Sequence, residues 1–260
     1  MSLTNFKYQL QGRNDHQQLL LDIKHVPCRF PLHPFSSQPG DLAHTSQSEP
    51  GLHNQAHDAG HFSAEIAAVE AKTKKGKQLM TEDDHPRPQT TLEQLAKLQP
   101  VFKKGGTVTA ANAPGVSDGA AAVVIASEDV VKQHKLTPLA RIVVYHVSGC
   151  DPSTMGSGPV PAISGALKKA GLTRKDMDLV EVNEAFAPQY LSAEKALGLD
   201  PENTNVNGGA IALGHPLVAS GSRITAHLVH KLRRRGGTYA VGSACTGGGQ
   251  GIAIIFENTH

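Results

Sequence analysis

Short apolar runs alternate with helix-like stretches from residue 141 onward, and this alternation restricts the possible folds more than any other feature of the chain. Runs with strand character are found at 141–145, 179–182, 238–244 and 251–256. Predicted helices span 161–170 and 185–197, each followed by a glycine, and a third runs to Arg235 with Ser220 as its cap. Strands that alternate with helices favour an α/β fold, in which helices cover a mixed sheet.

The composition of the 260 residues argues against several classes of protein. The chain is 39% hydrophobic and 18% charged with a net charge of +2, which gives no electrostatic reason to expect a nucleic-acid partner. No apolar run approaches the length of a membrane span. Cys28, Cys150 and Cys245 form no CxxC pair, so we expect neither a disulfide framework nor a metal site built on cysteines.

The first 55 residues differ from the rest of the chain. Prolines stand at positions 27, 31, 34, 39 and 50, and 36–57 shows neither helical nor strand periodicity. Little apolar surface is available to offset the entropy lost when such a segment is ordered. We therefore expect residues 1–55 to be irregular or disordered.

Three loops should leave the same edge of the predicted sheet. Asn183 begins the first loop (NEAF), and Cys245 begins the third (CTGGG). His215 is the next-to-last residue of the second loop (NGGAIALGHP), which follows a short predicted strand near Val206. Ligand sites in open α/β sheets lie where such loops meet. Each signal alone is weak, because a lone cysteine is usually a small buried hydrophobe and glycine-rich turns usually serve backbone geometry.

Together, these loops resemble those of the thiolase family. The segments KTKKGKQ, HPRPQTTLEQL, KKGGTVTAANAPGVSDGAA and GSGPVPAI extend the resemblance over about 56–256, and the pattern is most similar to 3-ketoacyl-CoA thiolases of fatty-acid β-oxidation. The resemblance implies an acyltransferase that cleaves a 3-ketoacyl-CoA with a second coenzyme A, or runs the Claisen condensation in reverse. Such enzymes carry the acyl group on a cysteine, which divides a difficult step into two easier ones.

The resemblance also implies roles for individual residues. Cys245 would exchange the α-proton of acetyl-CoA, and His215 would activate the nucleophile and face the thioester oxygen. Asn183 would hold a water in the same oxyanion hole, while the backbone N–H of Gly247 would belong to a second one. Coenzyme A, a substrate and not a tightly bound cofactor, would contact two further residues, Arg87 and Thr90. No metal is implied.

By the same resemblance, the chain divides into four parts. Residues 1–55 lie outside the family pattern, 56–115 form part of a loop domain, 116–140 a remnant of the N-terminal domain, and 141–260 the C-terminal domain. The expected partners are acyl-CoA and CoA, with assembly as a homo-oligomer or with a thiolase subunit, and without nucleic acid or a membrane span. The expected location is the mitochondrion, with the cytoplasm as the alternative.

The acyl-carrying cysteine of the family has no evident counterpart. It belongs at the start of a helix, whereas Pro27 and Pro31 forbid a continuous helix around Cys28. We expect an N-terminally truncated or divergent relative with impaired turnover, or alternatively an inactive one that binds CoA or a full-length thiolase. Val218 also replaces a family glycine, where a positive φ would be strained.

Two other patterns suggest different chemistry. Ser117 lies in a GxSxG motif that would suit a serine hydrolase if a strand at 107–111 preceded it and a helix followed. Within the thiolase pattern, Ser117 would instead cap that helix. His53, His57 and His61 are spaced for one helix face, which can bind a metal, but Gly51 and Gly60 weaken that helix and favour a chance cluster.

Overall fold

The computed structural model describes residues 18–29, 43–73, 76–87 and 89–259. Its strands are β1 (Gln18–Arg29), β2 (Val69–Thr73), β3 (Gly76–Met80), β4 (Asp118–Ser127), β5 (Ala140–Gly149), β6 (Leu179–Val182), β7 (Tyr239–Thr246) and β8 (Gln250–Asn258). Its helices are α1 (Ala43–Asp58), α2 (Leu92–Ala96), α3 (Glu128–His134), α4 (Pro159–Ala170), α5 (Ala187–Leu197), α6 (Ala210–Leu213) and α7 (Ser220–Arg235). Among these described residues, no helix is long and apolar enough to cross a membrane.

Six strands form one mixed sheet in the order β4-β1-β5-β8-β7-β6, and β2 and β3 form a separate hairpin. The pair β6–β7 is parallel, whereas every other neighbouring pair is antiparallel. Since β6 and β7 run in the same direction, the loops that follow them leave the same edge of the sheet. The predicted mixed α/β sheet is therefore confirmed.

Helices cover both faces of this sheet. On one face, α4 packs Ile163 and Ala166 against Val241 of β7 and Ile255 of β8. On the other face, α7 packs its apolar stripe, which includes Leu228 and Leu232, against Leu179, Ala240 and Phe256. Neighbouring residues 240 and 241 thus face opposite layers, as the two-residue period of a strand requires.

A close backbone contact fixes the position of α4 on the sheet. A Cβ added at Gly251 of β8 would lie 2.8 Å from the Cα of Gly158 and closer still to its carbonyl group. Gly158 directly precedes α4. Only residues without side chains allow this approach, so the beginning of α4 sits directly against the strand that follows the CTGGG loop.

The expectation of an irregular segment at residues 1–55 is wrong for its described parts. β1 pairs with β4 along most of its length, with Leu20 opposite Ile125, and α1 is a helix despite an internal proline, Pro50. Leu20 is completely buried against α7. Pairing with residues one hundred positions away stabilises a strand that local composition does not predict.

Other element predictions need smaller corrections. The strand near Val206 is reduced to one bridge between Thr204 and Val180, and residues 107–111 form turns and not a strand. Ser117 caps no helix, because β4 begins at the next residue. Ser220 is the first residue of α7, and its hydroxyl contacts His215 without capping the helix.

Candidate active site

Asn183 lies at the C-terminal end of β6, where its position is fixed by the neighbouring strand. Its backbone N–H donates to the carbonyl oxygen of Ser243 on β7 over 2.8 Å. The Asn183 side chain is buried, and its Oδ1 has no hydrogen-bond partner among the described residues. The Nδ2 atom lies 3.4 Å from Nε2 of His215. Two residues 32 positions apart are therefore brought together, as predicted.

His215 is held on both sides of its backbone by the segment before β4. Its N–H donates to the carbonyl oxygen of Gly115 over 2.8 Å, and its own carbonyl accepts the N–H of Ser117 at 3.4 Å. Burial, followed by the positive charge of Arg223, lowers the pKa of the imidazole below its ordinary value. The ring is therefore a neutral group at neutral pH, as a general base must be.

Glu184 connects the NEAF loop to the loop that carries His215. Its buried carboxylate accepts hydrogen bonds from Asn205 Nδ2 and from the backbone N–H of Ile211, each over 2.9 Å. The Asn205 side chain also exchanges two hydrogen bonds with the backbone of Val182, which continues the pairing at the end of β6. A Cβ at Gly209 would lie 2.5 Å from Glu184 Oε1, so this loop requires a residue without a side chain.

Buried polar and basic side chains lie behind the site along one face of α7. The helix residues Arg223, His227 and Lys231 follow one another at four-residue spacing, so they share one stripe. Each has a polar partner from another segment. Arg223 Nη1 lies 3.6 Å from Glu181 Oε1, and His227 Nδ1 lies 2.9 Å from Glu65 Oε1. Lys231 Nζ donates to Asn207 Oδ1 over 2.7 Å.

Cys245 is the penultimate residue of β7 and lies at the same sheet edge as Asn183, two residues beyond Ser243. Its side chain is partly buried, and burial raises the pKa of the thiol, as does the nearby Cys150. Within the described residues, no hydrogen bond joins Cys245 to Asn183 or His215. Gly247 lies at the exposed tip of the following hairpin.

Arg87 and Thr90 lie on a turn next to the site, not inside it. Arg87 is exposed, and its Nη1 donates to three carbonyl groups, those of residues 84, 85 and 86. The N–H of Thr90 donates to the carbonyl of Arg87 over 3.1 Å. His85 forms a hydrogen bond to the backbone of Ile211, which attaches this turn to the loop that carries His215.

Three alternative readings of the sequence find no support in these contacts. Ser117 donates its hydroxyl to the carbonyl of Gly115, and a nucleophile elbow is absent because a strand and not a helix follows. Within the described residues, no group of three histidine, cysteine or acidic side chains could hold a metal ion. Val218 is fully exposed without a positive φ, so the predicted strain at this position is absent.

Sequence reasoning missed three residues that hold the site together. The sequence pattern predicts only a helix cap for Ser220 and gives no signal strong enough to assign a role to Glu184 or Lys231. A serine five positions after a candidate base, and a carboxylate directly after a buried strand, are signals that could have drawn attention to the first two. The contact from Lys231 to the loop depends on where α7 crosses the sheet, which no local pattern specifies.

An α/β sheet with an amide, an imidazole and a thiol on loops at one edge defines this chain as a thiolase-fold protein. Sequence models of the thiolase N-terminal and C-terminal domains match residues 42–129 and 136–258. The chain belongs to the thiolase family.

Known relatives share both the sequence and the fold. The mitochondrial 3-ketoacyl-CoA thiolase of Bos taurus is 78% identical over 204 residues, which cover 78% of this chain and 51% of the relative. A crystal structure of human mitochondrial 3-ketoacyl-CoA thiolase superposes with a TM-score of 0.83 at 71% identity, covering 84% of this chain and 55% of that one. A second structure of the human enzyme, in complex with CoA, gives a TM-score of 0.81 at 69% identity, with 85% and 55% covered. The chain thus spans about half the length of these relatives.

Proposed function

We propose that this chain acts on acyl-CoA thioesters as a 3-ketoacyl-CoA thiolase in the mitochondrion. The observation that carries the proposal is the 3.4 Å contact between Asn183 Nδ2 and His215 Nε2, at the sheet edge where β7 ends with Cys245 and Thr246. These side chains come from the three loops of the family pattern. Relatives at 72–78% identity are named as mitochondrial 3-ketoacyl-CoA thiolases, which supports both the reaction and the location.

The proposed chemistry divides the work among these groups. His215 takes the proton of a nucleophilic thiol and then donates it toward the thioester oxygen, while Asn183 holds a water beside that oxygen. Cys245 removes the α-proton of acetyl-CoA in the condensation direction and returns it in cleavage. The N–H of Gly247 stabilises the enolate oxygen that forms when this proton leaves.

Coenzyme A is proposed to bind as a substrate along the turn that contains Arg87 and Thr90. The three hydrogen bonds from Arg87 Nη1 to carbonyl groups fix the plane of the guanidinium, and its exposed face can stack on an adenine ring. Phe102 adds an exposed apolar surface near the NEAF loop, where its ring contacts the edge of Phe186 at a centroid distance of 5.7 Å. This pair is a candidate wall for the flexible arm of the coenzyme.

Turnover is proposed to be impaired, because the acyl-carrying cysteine has no clear counterpart among the described side chains. Cys28 lies in a strand, whereas the acyl-carrying cysteine of the family is expected at the start of a helix. Proton exchange at acetyl-CoA needs only the groups around Cys245, whereas cleavage also needs the covalent carrier. In this chain, α-proton exchange should therefore occur, whereas thiolytic cleavage should be slow.

The test measures both half-reactions with the purified chain. We expect deuterium to enter the methyl group of acetyl-CoA in heavy water, and Cys245→Ser to abolish this exchange. Cleavage of acetoacetyl-CoA should be slow, and Cys28→Ser should leave its rate unchanged. An absence of exchange together with an absence of coenzyme A binding would contradict the proposed function, whereas fast cleavage would contradict only the proposed impairment.

A second candidate function is pairing, either with another copy or with a complete thiolase subunit. The observation that favours it is a group of exposed apolar side chains around His215, which we call the Leu217 patch: Val116, Leu217 and Val218. Contiguous exposed apolar surface often marks an interface. Co-purification of the tagged chain with bovine mitochondrial 3-ketoacyl-CoA thiolase would support pairing, and separate elution of the two proteins would contradict it.

A further inference from the structure

Ser220 lies where α7 begins, and its buried hydroxyl has two neighbours. Its Oγ is 2.6 Å from Nδ1 of His215 and 3.2 Å from the carbonyl oxygen of Pro216. The serine is thus the hydrogen-bond partner of the imidazole nitrogen opposite the one that faces Asn183. Both contacts lie within one turn of chain, so they form together when α7 folds against the loop.

The hydrogen-bond partners of Ser220 determine which tautomer of the His215 imidazole is present. A carbonyl oxygen can only accept, so the single hydroxyl proton of Ser220 is donated to Pro216. In its other contact, Oγ must therefore act as the hydrogen-bond acceptor, and the donor must be the N–H of His215 Nδ1. A neutral imidazole has only one N–H group, so Nε2 is unprotonated and its lone pair faces the amide donor of Asn183.

We propose that Ser220 is a positioning residue that fixes His215 in the Nδ1–H form, which leaves Nε2 as the basic nitrogen of the ring. The catalytic consequence rests on the proposed function, whereas the position of the proton is a property of the chain alone. Ser220 contacts no substrate in this scheme and acts only through the imidazole.

This arrangement supports both steps assigned to His215. In the first step, the thiol S–H bond breaks, the proton moves to Nε2 and the sulfur keeps the electron pair as a thiolate. The resulting imidazolium still donates Nδ1–H to Ser220, so the ring need not turn. In the second step, the new Nε2–H bond points toward the developing oxyanion and can donate to it. Burial and the charge of Arg223 lower the pKa of His215 and so disfavour the imidazolium before reaction, which leaves Nε2 unprotonated and able to accept a proton.

The test observes the ring nitrogens directly by NMR of the full chain with labelled histidine. The signals of His215 are those missing from His215→Gln, and spectra are recorded above about pH 8, where the ring is neutral. We expect a protonated Nδ1 and an unprotonated Nε2 in the original chain. Ser220→Ala should give a mixture of the two forms, Ser220→Thr should restore the first, and Ser222→Ala on the same helix should change nothing.

A protonated Nε2 in the original chain would overturn the proposal, as would an unchanged spectrum for Ser220→Ala. The spectrum of the original chain decides the question even if Ser220→Ala does not fold. Where acyl-CoA turnover is measurable, Ser220→Ala should lower kcat roughly tenfold with KM little changed, since a tenfold loss corresponds to about 1.4 kcal/mol, the worth of one such hydrogen bond. An absence of both α-proton exchange and coenzyme A binding, together with the expected spectrum, would contradict the proposed function and leave the role of Ser220 supported.

Discussion

Gly209 has no reactive side chain, but its small size allows the loop that carries His215 to pack against Glu184. A Cβ at this position would overlap the carboxylate of Glu184, which holds the N–H of Ile211. We predict that Gly209→Ala lowers the free energy of unfolding by about 2 kcal/mol, because the added methyl group overpacks a buried contact. Gly221→Ala is the matched control, since nothing lies within 4 Å of its Cβ in α7, and it should stabilise the chain by about 0.5 kcal/mol. Denaturant titration measures both, and equal effects would contradict the prediction.

His53 makes a second prediction at the scale of one residue. Burial, followed by the charges of His57, His227 and Arg223, lowers its pKa to about 4. The unfolded chain binds this proton near pH 6.5, so stability is complete above that value and is lost as the pH falls toward 4. Between about pH 7.5 and pH 5 the loss should be roughly 2 kcal/mol, at about 1.4 kcal/mol per pH unit between the two pKa values.

Chemical denaturation at the two pH values measures this loss. His53→Leu should reduce the pH dependence by about that amount, because the leucine binds no proton in either state. His134→Leu, at an exposed position of α3, is the control and should behave as the original chain does. An unchanged slope in His53→Leu would show that other groups account for the acid sensitivity.

At the residue scale, the loop pattern predicted the meeting of Asn183 and His215. Asn183 follows β6 as expected, but His215 follows the short helix α6 and not a strand, and its backbone is held by hydrogen bonds with Gly115 and Ser117. The reason for the failure at Ser220 is also physical. A serine before a helix usually caps it, and only the folded path of residues 215–220 turns the hydroxyl toward the imidazole. The roles of Asn183, His215, Cys245, Gly247, Arg87 and Thr90 remain predictions until the half-reactions are measured.

At the scale of elements, a buried hydrogen bond joins two segments that are far apart in the chain. Nδ1 of His227 on α7 lies 2.9 Å from Oε1 of Glu65, which follows α1. We predict that Glu65→Ala lowers the free energy of unfolding by about 2 kcal/mol, because it leaves the buried imidazole of His227 without its hydrogen-bond partner. The measurement is equilibrium denaturation at neutral pH.

An exposed pair on the β2–β3 hairpin supplies the control. Glu70 lies 2.5 Å from Lys77, but both side chains are well exposed to solvent. Glu70→Ala should therefore change the free energy of unfolding by less than about 1 kcal/mol. If the two substitutions cost the same, burial does not determine the strength of the Glu65 contact.

Among elements, those with their own hydrophobic period were predicted well and those that depend on distant partners were not. The helix α4 ends at Ala170, before Gly171, and β6 spans Leu179–Val182, as the pattern indicates. β1 has no such pattern and is ordered by pairing with β4 and, over three residues, with β5. The prediction of irregular structure failed there because the stabilising contacts are not local.

At the scale of the whole molecule, the Leu217 patch predicts association. We expect the chain to self-associate, and a double variant, Leu217→Ser with Val218→Ser, to weaken this roughly tenfold or more, since burying one such side chain contributes about 1.5–3 kcal/mol. Sedimentation velocity over a range of concentrations measures the effect. Leu79→Ser, at an equally exposed position on β3, should leave association unchanged, and an equal effect would show that the patch is not the interface.

The contact between Gly158 and Gly251 has a consequence for how this molecule can vary. Any side chain at either position would push the first turn of α4 away from β8, and the hairpin that carries Cys245 would move with the strand. A library of all single substitutions should therefore tolerate no replacement at these two positions, although neither glycine bears a reactive group. New substrate specificity must therefore arise from substitutions in the surrounding loops, because the close contact between Gly158 and Gly251 does not allow α4 and β8 to move relative to each other.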